Sequence, residues 1–196
     1  MFGSKRVRRA VLAIGLVGLL AGVVVSSTSV DASGDSESHR RSAEATLRNA
    51  DGDRVGDVHL IQRRGAVAVF ADVQGLESGF HGFHVHATGV CEAPFTSAGG
   101  HFNPGDTTHG DHAGDLPSLL VMKNGTASLF FETDRFTLSD LFDEDGSAII
   151  VHAGSDNYAN IPDRYHSHEE DVFGPDSATL GAGDAGARVA CGVVER

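Results

Sequence analysis

Tryptophan is absent from these 196 residues, and cysteine, methionine and tyrosine occur only twice each. Helical periodicity is scarce too, while glycine is abundant at 25. That argues against a helical bundle and for short strands joined by turns and long loops. Lysine is nearly missing: past residue 32 only Lys123 remains. The formal charge is −12, and −15 without the first 32 residues, where eleven basic side chains face twenty-six acidic ones. Such a surface argues against nucleic acid or a specific membrane as partner, and its shortage of lysine suits a salty medium. The two cysteines, Cys91 and Cys191, suit a single disulfide if the compartment is oxidising.

The N-terminus points to such a compartment. Lys5, Arg6, Arg8 and Arg9 form a basic region ahead of an apolar run over 10–25, and Val30-Asp31-Ala32 offers small residues for cleavage before Ser33. This is the anatomy of a secretory signal peptide over 1–32, the run being short for a transmembrane helix. Arg8-Arg9 leaves twin-arginine export open beside the general route. No cysteine follows the run, so there is nothing to lipidate. Residues 33–43 read as a flexible polar linker, and 44–196 as one domain with a full core.

Within that domain the pattern predicts strands over roughly 44–50, 55–62, 66–73, 80–86, 118–123, 126–133, 147–152 and 188–194. Asp51-Gly52 and Arg64-Gly65 mark turns, and Asn124-Gly125 between two apolar runs is the strongest hairpin signal. Val67, Val69 and Ala71 alternate with Ala66, Ala68 and Phe70, so that strand reads as covered on both faces. A single helical turn fits 137–142. Eight strands without repeated helices define an all-β sandwich or barrel. Two segments, 87–117 and 153–187, refuse strands, and structureless loops of that length are usually functional or disordered.

The chemistry centres on Gly82-Phe83-His84-Val85-His86. Histidines at i and i+2 of a strand share a face and can offer two imidazoles to one ion, with copper and zinc the metals imidazole suits. Alone the pair is weak evidence, but it has company. The first loop carries His101, His109, His112 and Asp115, three nitrogens and one oxygen of a kind a structural zinc accepts. His152 ends the apolar run Ala148-Ile149-Ile150-Val151, at the rim of a sheet.

Taken together, the segments 82–86, 99–104, 112–115, 150–152 and 183–192 resemble the copper/zinc superoxide dismutase family in its secreted bacterial branch. The resemblance implies an eight-stranded Greek-key barrel with two long functional loops, and dismutation of superoxide to dioxygen and hydrogen peroxide. It further implies that His84, His86, His101 and His152 hold copper, and that His101 bridges to zinc held with His109, His112 and Asp115. Asp156 falls where the family uses a carboxylate to link a copper histidine to a zinc histidine. Arg188 matches the arginine that attracts the anion and, with His101, would be catalytic. Cys91 and Cys191 match the family's disulfide. A homodimer is also within the family's range.

Two departures stand out. Only two residues separate His109 from His112, where other members have a longer excursion, so it is open whether both rings reach one ion. The second loop reads Arg164-Tyr165-His166-Ser167-His168-Glu169-Glu170-Asp171 where many relatives carry lysines. Arg188 is then nearly the only local attractor. His166 and His168 form a second H-x-H, read as a solvated loop with metal capture as the sharper alternative. His81 is expected to pack or give a supporting hydrogen bond, while His59 and His39 show no partner in sequence. A rival function is a copper-holding, metallochaperone-like domain without turnover, which loss of Arg188 or of a copper ligand would mark; neither is lost. A zinc hydrolase would want a carboxylate base beside an open metal position, and the H-x-H motif supplies none.

Overall fold

The computed structural model describes residues 41–196; the expected signal peptide, His39 and most of the linker lie outside them. The first strand among the described residues is Ser42–Arg48 (β1), so Ser42 and Ala43, expected in the linker, already belong to a strand. Ala43, Ala45 and Leu47 point inward and their neighbours outward, the period-two pattern of a half-buried strand. Asn49 turns the chain by accepting the N–H groups of Asp51 and Asp53 on its side chain, with Gly52 at φ +87°. Arg54–Arg63 (β2) and Ala66–Val73 (β3) follow, joined across Gly65 at φ +80°. One face of β3 lies in the core. The other is covered in part: Ala68 is buried, Phe70 packs against Phe130 with ring centroids 4.7 Å apart, and Asp72 is exposed.

The strand expected over 80–86 is two strands, Gly79–His81 (β4) and Phe83–His86 (β5), broken at Gly82. There the chain changes partners: Gly82 N donates to Gly154 O and Gly82 O accepts from His152 N, where residues 79–81 pair with 119–121 instead. A side chain at Gly82 would press within 2.7 Å of Ala185 Cβ. Next come Leu119–Val121 (β6) and Ala127–Thr133 (β7). The Asn124-Gly125 turn is present, closed by Met122 and Thr126, but its arms do not run on as one hairpin. Instead β6 pairs with β4, and β7 pairs along its full length with β3.

The expected helical turn is the 3-10 segment Leu138–Phe142, opened by a Thr137/Asp140 capping box. Ala148–His152 (β8) and Arg188–Val193 (β11) complete the main sheet, whose antiparallel order is β5-β8-β11-β1-β2-β3-β7. The chain thus leaves β7 at one edge and enters β8 next to the other, a Greek-key crossover. The long loops are not structureless. The first holds a 3-10 turn, Thr96–Ala98, and the second a small hairpin, His166–Ser167 (β9) with Val172–Phe173 (β10), and a helix, Ser177–Ala182 (α1). Pieces of two to six residues are too short to leave a periodic signature.

Phe83, Val85, Leu47, Leu60, Ile149 and Val151 sit in the main core. A smaller cluster of Phe95, Ala98, Ala148, Ile150 and Cys191 fills the other side of β8. Two-sided burial is why residues 148–151 read as an unbroken apolar run. The Cys91–Cys191 disulfide staples the first loop to β11 across 100 residues, a closure worth about 4.7 kcal/mol in the chain-entropy model.

Candidate metal centre

With Phe83 and Val85 committed to the core, period two sends His84 and His86 to the opposite face of β5. That strand ends the sheet, and its free edge would expose backbone groups. The first loop covers it. Val85 N donates to Gly114 O at 2.9 Å, and Val85 O accepts from Phe102 N at 2.8 Å. Gly114 permits the approach, since a Cβ there would stand 2.3 Å from Val85 O. By lining this edge the loop brings His101 beside His86 and Asp115 beside His84. His152, at the end of β8, lies opposite Arg188 in the ladder with β11.

His84, His86, His101 and His152, the residues expected to hold copper, are gathered with donor atoms within 4.8 Å of one another. His84 Nδ1, His86 Nε2, His101 Nε2 and His152 Nε2 are all buried without a hydrogen-bond partner. The outward nitrogens are engaged: His84 Nε2 with Asp156 Oδ2 at 2.8 Å, His86 Nδ1 with Gly99 O at 3.0 Å, and His152 Nδ1 with Gly186 O at 2.9 Å. Donation outward leaves the inward lone pairs free. An unpaired buried polar atom costs about 1–3 kcal/mol, so four facing one point fit a metal ion far better than an empty core.

The expected zinc set, His101, His109, His112 and Asp115, also converges. Asp115 Oδ1 lies 2.8 Å from His101 Nδ1, 3.1 Å from His109 Nδ1 and 3.3 Å from His112 Nδ1, and the two nitrogens of His101 and His112 are 3.3 Å apart. A tetrahedron with arms of about 2.0–2.1 Å has edges of about 3.3–3.4 Å, so this donor set suits zinc. The short spacing from His109 to His112 therefore does not keep the rings apart. His109 Nδ1, despite its closeness to Asp115, is not aligned for a hydrogen bond and remains unpaired. Asp115 Oδ2 turns back to accept Gly110 N and His112 N, which closes the loop on itself.

Asp156 joins the halves. Its Oδ2 holds His84, and its Oδ1 holds His109 Nε2 at 2.7 Å. Burial pushes His84 and His152 down to about 4 and, with the charges of His101 and Arg188 adding to it, His86 down to about 2. Burial also lowers His112. It acts the same way on His109, but Asp115 and Asp156 outweigh it and raise that ring to about 9. Burial works to raise Asp115 and Asp156, yet their histidine partners hold both well below the usual carboxylate range. His84, His86 and His152 are thus neutral imidazoles facing one point, while the Asp115 carboxylate faces the other.

Arg188 is half-buried, its guanidinium donating to Phe95 O and Gly99 O at 2.6 Å each. It shares the Gly99 carbonyl with His86, so the cation is fixed relative to the first histidine set. His81 is buried with its ring nitrogens 2.7 Å from His152 O and 2.9 Å from Glu77 O, the supporting contact expected of it. His59 does have a neighbour, Glu44 at 3.9 Å. His166 bonds Asp171 at 2.9 Å, but the groups of three or more metal-competent side chains among the described residues include neither His166 nor His168. Three residues escaped sequence reasoning. Arg135 donates to Gly110 O and His112 O, Tyr158 lies flat beside His109, and a side chain at Gly183 would collide with Asp156 and His109. Each acts across a long sequence separation that no local pattern records.

A β-barrel whose edge strand and loops gather seven metal-competent side chains into two donor sets, with His101 common to both, has the build of a metal-binding protein. The sequence pattern of copper/zinc superoxide dismutase (SODC) matches residues 54–194. The chain belongs to the copper/zinc superoxide dismutase family. It is 47% identical over 130 residues to a superoxide dismutase [Cu-Zn] of Mycolicibacterium paratuberculosis, covering 61% of this chain and 57% of that protein. With the Mycobacterium tuberculosis superoxide dismutase [Cu-Zn] it shares 42% over 168 residues, covering 79% and 70%. A crystallised double mutant of a SOD-like protein from Bacillus subtilis superposes with a TM-score of 0.63 at 31% identity, covering 78% of this chain and 97% of that one.

Proposed function

We propose that the chain is an extracytoplasmic superoxide dismutase, with copper at His84, His86, His101 and His152 and zinc at His101, His109, His112 and Asp115. The observation that carries this reading is the pair of buried donor sets sharing His101, the first with all four inward nitrogens left without a hydrogen-bond partner. When bound, copper supplies the one-electron redox couple and zinc a fixed positive charge that orients the shared ring.

The chain's own residues do the rest. Three outward hydrogen bonds keep His84, His86 and His152 in the tautomer that presents a lone pair, and imidazole tolerates both copper oxidation states where thiolate would favour Cu(I). Arg188 meets the incoming anion with a charge whose position Phe95 O and Gly99 O fix. His101 works through both nitrogens: Nδ1 stays with the Asp115 set, while Nε2 is the atom from which a proton passes to the departing peroxide. In sum, two superoxide anions and two protons give dioxygen and hydrogen peroxide.

Export rests on the N-terminal basic-then-apolar pattern, and the Cys91–Cys191 disulfide suits an oxidising compartment. Pairing into a homodimer rests on the β4–β6 ribbon, where Phe80 and Leu120 lie side by side, 57% and 55% exposed, with Met122 beyond. An acidic chain meets its own copy with least repulsion on such an uncharged face, and sedimentation of the loaded protein reads the outcome.

The deciding experiment is superoxide dismutation by the copper- and zinc-loaded protein beside His84→Ala and Arg188→Ala. The proposal expects fast turnover in the parent, none in His84→Ala, and a reduced but measurable rate in Arg188→Ala. A parent that binds copper tightly yet is as inert as both variants would make the domain a copper carrier.

A further inference from the structure

Asp156 holds His109 at one atom only, Nε2. A ring held at one point can still hinge about that contact, and its ligand atom Nδ1 would swing with it. A second contact is needed to fix the plane. Tyr158 supplies a plane. Its ring lies 9° from parallel to His109, centroids 6.3 Å apart. The phenol is itself tethered, accepting from Ser118 N at 2.8 Å, pairing with Ser118 Oγ at 2.9 Å and donating to Leu116 O at 3.3 Å. Its backbone N–H donates to Asp156 Oδ1 at 2.7 Å, the same oxygen that holds His109. This arrangement places Tyr158 in the left-handed region at φ 54°, a conformation uncommon for a bulky residue and maintained only where surroundings impose it. Gly110, next to His109, leaves room for the approach, because a Cβ there would stand 2.7 Å from Tyr158 O.

We propose that Tyr158 is a positioning residue for the second donor set: pinned to Leu116 and Ser118, its ring keeps the His109 imidazole turned so that Nδ1 faces Asp115. The inference rests on the reading that this set holds zinc, and it names what governs how long zinc stays. The logic follows from where the donors sit. His101, His109, His112 and Asp115 all belong to one loop, whereas Tyr158 comes from the other loop and clamps the first from outside. Groups that orient metal ligands from behind typically change affinity by about 10–100-fold when removed.

The test compares zinc release to excess chelator from the fully loaded parent, Tyr158→Ala and Tyr158→Phe, with copper release followed in the same samples. Cobalt(II) placed in the zinc set reports ligand geometry through its visible spectrum. Tyr158→Ala is expected to release zinc about tenfold faster or more and to shift the cobalt bands. Tyr158→Phe, which keeps the ring face but loses the tether, falls between it and the parent, and copper release stays at the parent rate in both. Parent-like zinc release with an unshifted cobalt spectrum in Tyr158→Ala would overturn the inference. So would loss of both metals in parallel with a lowered melting temperature of the metal-free protein, since that marks general loosening. A parent that takes up copper but no zinc would remove the zinc reading itself, and this inference with it.

Discussion

The two halves of the metal centre are built from different materials. His84 and His86 stand on β5 and His152 on β8, so three of the four donors proposed for copper are placed by sheet register. All four donors proposed for zinc come from one stretch of loop, 101–115, held in place by Asp156, Tyr158 and Arg135 from elsewhere. A strand fixes a side chain through a ladder of backbone bonds shared with its neighbours. The loop has only isolated bridges to the edge of β5, and the rest of its geometry depends on what reaches in from outside. The copper half should therefore withstand the loss of a supporting contact that the zinc half does not.

Asp156 offers the largest test of that contrast, because it touches both halves equally, at 2.8 Å on His84 and 2.7 Å on His109. Asp156→Ala removes the same bond from a strand histidine and a loop histidine. Zinc affinity is expected to fall by about 10–100-fold, while copper affinity drops far less, as measured by competition with chelators of known strength. Equal losses at the two sites would erase the distinction between them.

A smaller effect separates the halves by pH in the metal-free protein. The unfolded chain's histidines bind protons near 6.5, but His84 and His152 resist until about 4 and His86 until about 2. Between those values the unfolded state holds more protons, so the stability these three contribute is complete above about 6.5 and is lost as pH falls. His109, raised to about 9, has the opposite sign. Its contribution is complete below about 6.5 and is lost as pH rises through 9. Calorimetry on metal-free protein should show a melting temperature highest near pH 6.5, falling by a few degrees on either side. A flat profile from 4 to 6.5 would mean that the strand histidines are not buried neutral.

The same division decides what could be read from sequence. His84, His86 and His152 lay on period-two patterns with chemistry at legible positions, and His101, His109, His112 and Asp115 were conspicuous by density in one loop. The supports were not legible. Tyr158 reaches Ser118 across 40 residues and Arg135 reaches His112 across 23, contacts that depend on two loops folding over one sheet edge. The strand break at Gly82 was hidden for a related reason: nothing local says that residues 79–81 pair with β6 while 83–86 pair with β8. The Asn124-Gly125 turn lies where the sequence places it, but the partners of its arms are set by the barrel's closure. Local chemistry gives turns and faces; which strand lies alongside is decided by the whole sheet.

The smallest expected effect concerns charge, which only one half possesses in usable form. Arg188 sits against His86 through the shared Gly99 carbonyl, a fixed cation beside the proposed copper, within a chain of formal charge −12. The family to which this chain belongs is itself a standard instance of field-steered association. Here the second loop carries His166, His168, Glu169, Glu170 and Asp171 where many relatives carry lysines, so the long-range field repels a superoxide anion and only the last few ångströms attract it. Added salt screens the distant acidic charges first, since the Debye length is already about 8 Å at physiological ionic strength. A half-buried arginine beside the reacting point is screened least. The rate of dismutation should then stay level or rise modestly as ionic strength increases, and Arg188→Ala should leave that salt dependence unchanged in sign while lowering the rate. A steep fall in rate with added salt would show that attraction at long range outweighs this acidic surface, and that the copper half draws its substrate from farther away than Arg188 alone can reach.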